Sequence, residues 1–257
     1  MCEWRLALTD RRQLVAFDPD FFAKRAHAAE PADPLTAFRL AYHENLWRGA
    51  ETPSGAGSSV AQTSVIAGAL PGLCRRYGVG SLLDVPCGSF SWMAGVDLRG
   101  VRYTGGDLVP EIVAEAMRRH GAPERQFVVL DLTRSPLPAA DLLLCRDCLV
   151  HLSYADIARA VANIRASEIE YLLTTTFTAE PAFTDIVTGD WRPINLEAPP
   201  FSFPRPLELL DERCTEQNGA FADKALGLWR VGDLPGLPAT VDPGPLPPRH
   251  FRDRQSV

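Results

Sequence analysis

From residue 80 onward, short apolar runs alternate with stretches whose apolar residues recur every three to four positions. That alternation predicts strands joined by helices, hence a parallel sheet. The runs are S-L-L-D (81–84), V-R-Y-T-G-G-D (101–107), Q-F-V-V-L-D (126–131), D-L-L-L-C-R (141–146) and Y-L-L-T-T-T-F (171–177). Between them, 111–120 and 153–166 read as helices. Ser153 and Asp156 give the second a start like a capping box, and Ile157, Val161 and Ile164 form one apolar face. Two later pieces, 212–214 and 225–231 (A-L-G-L-W-R-V), read as closing strands, antiparallel at the sheet's edge. The expectation is an α/β chain with a mostly parallel seven-stranded sheet and helices on both faces.

Residues 5–48 are helical in pattern, broken by Pro31 and Pro34, and Phe38, Tyr42 and Leu46 share one helical face. The small-residue loop E-T-P-S-G-A-G-S-S (51–59) lacks the lysine that a triphosphate-binding loop requires. Ser58 or Ser59 suits the N-cap of a helix over 60–70, and Pro71 predicts the start of a second helix. Residues 183–206 break the strand–helix rhythm with prolines and aromatics, too long for a simple connection. Trp191, Phe201 and Phe203 argue that this stretch is folded. The expected organisation is an N-terminal helical cap (1–79), a main domain (80–235) with an insertion at 178–210, and a proline-rich mobile tail (236–257).

Composition narrows the function. With 46% hydrophobic and 23% charged residues the chain is an ordinary globular protein, and its net charge of −6 argues against nucleic acid as a partner. No signal-peptide core is visible at the N-terminus, and no run approaches the ~20 apolar residues that span a bilayer. A cytoplasmic protein without a membrane partner is expected, and nothing specifies its oligomeric state. The six cysteines (Cys2, Cys74, Cys87, Cys145, Cys148, Cys214) are scattered and read as free thiols.

Chemistry is concentrated after the first strand, in D-V-P-C-G-S-F-S-W-M (84–93). Asp84, Asp107 and Asp131 each close one of three successive strands, with 23 residues from the first to the second. An acidic residue ~20 positions on meets a ribose in nucleotide-binding βαβ units. Strand-end aspartates also cap turns, so any one alone is weak; the three in order are harder to assign to turns. The string resembles the first motif of class I S-adenosylmethionine-dependent methyltransferases, in a bacterial branch. It departs from the commonest form, which has glycines where Pro86 and Phe90 stand. The resemblance, over about residues 41–232, implies a Rossmann-like domain binding S-adenosylmethionine through Asp84, Pro86, Cys87 and Gly88. Asp107 with Leu108 would serve the ribose, and Asp131 with the Leu132 backbone the adenine. It further implies that 42–47 and the Ser/Gly loop fold over the cofactor, Trp47 included, although Trp47 reads equally as a core anchor.

The string C-R-D-C-L-V-H (145–151) follows the fourth strand, on the side where the acceptor would lie. Methyl transfer needs alignment of an acceptor lone pair, and a hydroxyl or ammonium acceptor also needs a base. Asp147 and His151 are the candidates, and Arg146 is expected to contribute its backbone rather than its charge. The same string scans as C-x-x-C-x-x-H, but a structural zinc wants four convergent ligands and no second pair exists, so no metal is expected. Trp191 and Arg192 could give a stacking wall and a cation for a carboxylate or phosphate on the substrate. The expected function is methylation of an oxygen or nitrogen on a small molecule or peptide. The rivals are an NAD(P)-dependent oxidoreductase on the same kind of sheet and a non-catalytic module that binds an adenosyl cofactor.

Overall fold

The computed structural model describes residues 18–26, 33–47, 49–179 and 183–240. Residues 1–17 and 27–32 of the expected cap, and 241–257 of the expected tail, lie outside them. Two N-terminal helices, α1 (Phe21–Ala26) and α2 (Pro34–Glu44), precede α3 (Val60–Arg76), and the sheet begins at β1 (Ser81–Asp84). There follow β2 (Arg102–Asp107), α4 (Pro110–His120), β3 (Arg125–Val129), β4 (Leu142–Cys145), α5 (Tyr154–Arg165), β5 (Tyr171–Phe177), β6 (Glu208–Asp211) and β7 (Lys224–Arg230). The seven strands lie in the order β3-β2-β1-β4-β5-β7-β6; the first five are parallel and the last two antiparallel. The expected α/β, Rossmann-like sheet is therefore present. Among the described residues no helix is long and apolar enough to cross a membrane.

The period-2 geometry of the strands sorts their side chains to two faces. Leu83, Leu143, Cys145 and Leu172 pack on one face with Ile157, Val161 and Ile164 of α5. Leu82, Leu142, Leu144 and Leu173 pack on the other with Ile66, Leu70 and Leu73 of α3 and Val113 and Ala116 of α4. No helix joins β1 to β2: the connection is a series of turns with one short 3-10 turn, Met93–Gly95. The α3 helix, which precedes the sheet in sequence, covers that face in place of a β1–β2 crossover helix.

Three boundaries differ from the sequence reading. Helix α3 runs on through Pro71 to Arg76 rather than restarting there, because Ile66, Leu70, Leu73 and Cys74 are buried on both sides of the proline. Packing then outweighs the hydrogen bond that proline forfeits. The penultimate strand is Glu208–Asp211, not 212–214, so the expected insertion (178–210) overlaps it; Glu212 turns inward as a buried anion. Asp131 lies two residues beyond the end of β3 rather than on it. The stretch 183–206 is packed onto the sheet, with Ile194, Leu196, Phe201 and Phe203 in the same core as α5.

Candidate active site

A cavity of about 750 Å³ lies across the carboxyl ends of the parallel strands. Asp84, Pro86, Cys87, Gly88, Asp107, Leu108, Asp131 and Leu132 line it, and so do Trp47, Arg146, Asp147, His151 and Trp191. Arg192 does not.

On the β1–β3 side, Asp84 accepts a hydrogen bond from Tyr103 Oη at 2.6 Å. Burial pushes its carboxyl up to about 7, the Tyr103 bond opposing and the nearby Asp107 charge adding to the rise. Asp107 accepts from the backbone N–H of Gly88 (3.2 Å) and of Val109 (2.9 Å), one on each oxygen, and burial raises it to about 6. Each oxygen keeps a further lone pair. Asp131 holds the turn that follows it: Oδ1 accepts from Thr133 N (2.9 Å) and Thr133 Oγ1 (2.6 Å), and Oδ2 accepts from Arg134 Nε (2.6 Å).

The turn that follows Asp84 is shaped by two residues in the left-handed region, Gly88 (φ 52°) and Phe90 (φ 58°). A left-handed Phe costs about 1–2 kcal/mol. It is offset by burial of the ring, 2% exposed, against Tyr103, His120 and Phe127 at centroid distances of 4.9, 5.1 and 5.2 Å. At Gly88 a Cβ would stand 2.6 Å from Ser54 Oγ, whose loop packs on this turn. Gly88→Ala should therefore lower stability by about 1–2 kcal/mol through φ alone. It should also displace the 54–59 loop, seen as faster proteolysis there; an unchanged melting curve would contradict the packing.

On the β4–β7 side the register pairs Phe177 with Lys224, which brings Lys224 to the end of β5. Lys224 Nζ donates to Asp147 Oδ2 at 2.7 Å and lies 3.7 Å from Glu212 and 3.8 Å from Glu216. Arg146 Nη2 donates to Glu212 Oε2 (2.7 Å) and to the Gly57 carbonyl (2.9 Å), and Nη1 lies 3.1 Å from Asp147. The Arg146 side chain thus has a charged role in this network that the expected backbone role did not include. Sequence reading missed Glu212, Glu216 and Lys224 altogether; the one local signal was a lysine heading an otherwise apolar strand.

Asp147 is itself left-handed (φ 52°), held by its N–H donating to Thr175 Oγ1 at 2.8 Å. Burial pushes its carboxyl up, but Arg146 and Lys224 more than reverse this and hold it well below the usual carboxylate range. His151 is pushed down to about 4 by burial, so the ring is neutral near pH 7. Its Nδ1 lies 3.0 Å from the Asp190 carbonyl, which only accepts. The tautomer assigned from that contact carries its proton on Nδ1 and leaves the Nε2 lone pair free of it. The ring packs against Trp47, 5.1 Å between centroids.

The C-x-x-C-x-x-H string does not form a ligand set: Cys145 is fully buried within β4, and His151 is engaged as above. Among the described residues no group of three His, Cys, Asp or Glu is placed to hold a metal. Arg192, expected on the acceptor side, is buried and donates to the carbonyls of Leu149 (3.0 Å) and Leu152 (2.7 Å). It closes the turn before α5 and offers the cavity no cation. A pyrophosphate site is also absent from β1. Such sites use a glycine-rich turn and a helix N-terminus, and here turns follow the strand while two buried carboxylates stand beside it.

The comparisons agree with this geometry. No curated protein matches the chain. Human N-acetylserotonin methyltransferase, solved in complex with SAM, shares the fold at a TM-score of 0.55 and 15% identity, over 88% of this chain; the chain spans 65% of that enzyme's length. Burkholderia thailandensis 1,6-didemethyltoxoflavin-N1-methyltransferase, solved with its namesake compound and S-adenosylhomocysteine, gives 0.55 at 19% identity, over 79% of this chain and 92% of its own. Residues 83–167, about a third of the chain, match a family described as a methyltransferase domain. Residues 83–167 are thus similar to a methyltransferase domain, and they lie within a Rossmann-like sheet.

Proposed function

We propose that this protein transfers a methyl group from S-adenosylmethionine to an oxygen or nitrogen of a small molecule. The observation that carries the reading is the set of carboxylates Asp84, Asp107 and Asp131 around one cavity, beside a phosphate-unfriendly loop. The donor set fits that cofactor: carboxylates for hydroxyls, no unpaired cation for a pyrophosphate among the described lining residues, and negative charge suited to a sulfonium. Asp107 with Leu108 holds the ribose, Asp131 and the Leu132 backbone the adenine, and Asp84 with Pro86, Cys87 and Gly88 shapes the amino-acid end. When bound, S-adenosylmethionine supplies an electrophilic methyl on a sulfonium.

The chain's own contribution is then to exclude water, orient the acceptor and receive its proton. Asp147 is a poor base because Lys224 and Arg146 stabilise its ionised form. His151, neutral and lining the cavity, is the better proton acceptor, with Trp47 packed on its ring to fix it. A base held near 4 is deprotonated at all higher pH. At saturating cofactor, which engages Asp84 and Asp107, the acid limb of kcat/KM for the acceptor should therefore lie near pH 4 rather than near the ordinary histidine value, about 6.5. A limb between pH 6 and 7 that persists in His151→Gln would remove His151 from the role. The cofactor reading is tested by calorimetry with S-adenosylhomocysteine and with NADH: the first should bind and the second should not, and the reverse would restore an oxidoreductase.

A further inference from the structure

Away from the three aspartates, the cavity passes over the ends of β4 and β5 and the start of β7, and its walls change character. Phe38 and Trp47, 6.1 Å between centroids, face it from the N-terminal segment. Trp191 and Phe221, 4.9 Å apart, face it from the insertion and from the turn before β7. All four rings are only half-buried. Open aromatic surface inside a cavity is the usual lining for an apolar, flat ligand.

Charge on this side is one-sided in what it shows to the cavity. The only cations lining it among the described residues are Arg146 and Lys224, and each side chain is 5% exposed. They sit behind the carboxylates that they neutralise, whereas Asp147 and Glu216 are 25% and 27% exposed. Arg192, the remaining cation nearby, is spent on two carbonyls. Among the described residues a ligand therefore meets aromatic faces and carboxylate oxygens, and no positive group left to pair with.

Resting on the methyl-transfer reading above, we propose that the acceptor is a planar aromatic small molecule carrying no negative charge. Its ring lies on the Phe38, Trp47, Trp191 and Phe221 surface, and a neutral or cationic polar group faces Asp147 and Glu216. A carboxylate- or phosphate-bearing acceptor is disfavoured, because Arg146 and Lys224 are already shared among three carboxylates, Asp147, Glu212 and Glu216, and an added anion in this partly dry site meets like charge without a cation of its own.

The test uses the whole chain and four probes of one size: 2-naphthol, 2-naphthylmethylamine, 2-naphthoate and the saturated 2-decalol. Calorimetry with S-adenosylhomocysteine comes first, since its failure to bind would sink the methyl-transfer reading and not the acceptor class. On protein loaded with it, 2-naphthol and 2-naphthylmethylamine should bind, and 2-naphthoate should bind about tenfold more weakly or worse. Glu216→Lys, whose fold is checked by its retained S-adenosylhomocysteine binding, should narrow or invert the amine-to-carboxylate ratio. Equal or tighter binding of 2-naphthoate by the unaltered protein would overturn the charge assignment. Equal binding of 2-decalol, or no binding of any naphthalene, would overturn the aromatic one.

Discussion

Asp107→Ala should weaken S-adenosylhomocysteine binding by about two to four orders of magnitude while the chain still folds. A hydrogen bond to a charged group contributes about 1.5–3 kcal/mol, and a ribose offers this carboxylate two hydroxyls. The structure sets what else is lost. Asp107 anchors the backbone N–H groups of Gly88 and Val109, so alanine frees the loop after β1 and the entry to α4 together. The carboxylate is 5% exposed and raised to about 6, so its removal also relieves a desolvated charge, which limits the damage to the fold. Asp107→Asn separates the parts: it can keep one backbone bond but loses an acceptor oxygen, and should fall between wild type and alanine. Circular dichroism guards against misfolding, and calorimetry reads the affinity. Binding by folded Asp107→Ala at wild-type strength would take the ribose away from Asp107, and with it the order of the three aspartates.

The place of Asp107 at the strand end beside the cavity was readable from sequence because its signal is local: an apolar strand, a terminal carboxylate, and a 23-residue step from Asp84. The sheet was readable for the same reason, since each strand carries its own pattern, and so was the Ser153 cap, whose Oγ accepts from Asp156 N. What escaped depends on partners far along the chain. Lys224 is identifiable as a site residue only through the β5–β7 register that sets it beside Phe177, and Glu212 only through Arg146, 66 residues away. Arg192 was misassigned because an arginine next to a tryptophan in an insertion looks like a substrate cation, whereas its position was decided by carbonyls left open at Leu149 and Leu152. The continuity of α3 through Pro71 and the missing helix after β1 belong together. The face that a β1–β2 helix would have covered is filled by Leu70 and Leu73, on opposite sides of that proline. A local rule was overruled in each case by a contact between distant segments.

The charge network is where such a contact is worth most, and Arg146→Ala should be the most destabilising single change at the site. Glu212, with a side chain 1% exposed, would keep only Lys224, 3.7 Å away, and Asp147 would lose its 3.1 Å partner. Removing one member of a buried ion pair typically costs about 3–5 kcal/mol because the abandoned charge stays desolvated. For a chain of this size each kcal/mol lowers Tm by about 2–4 °C, so a fall of about 6–20 °C is expected. The bond from Arg146 to the Gly57 carbonyl would go as well, freeing the 54–59 loop over the cavity, so cofactor affinity should drop with stability. A second variant identifies the cause: Arg146→Met with Glu212→Gln removes the stranded charge and should recover most of the lost Tm but not the loop's anchor. If the pair of substitutions melts no higher than Arg146→Ala alone, the lost stability comes from packing of the guanidinium stem. The buried carboxylate would then have been tolerated by Lys224 without help.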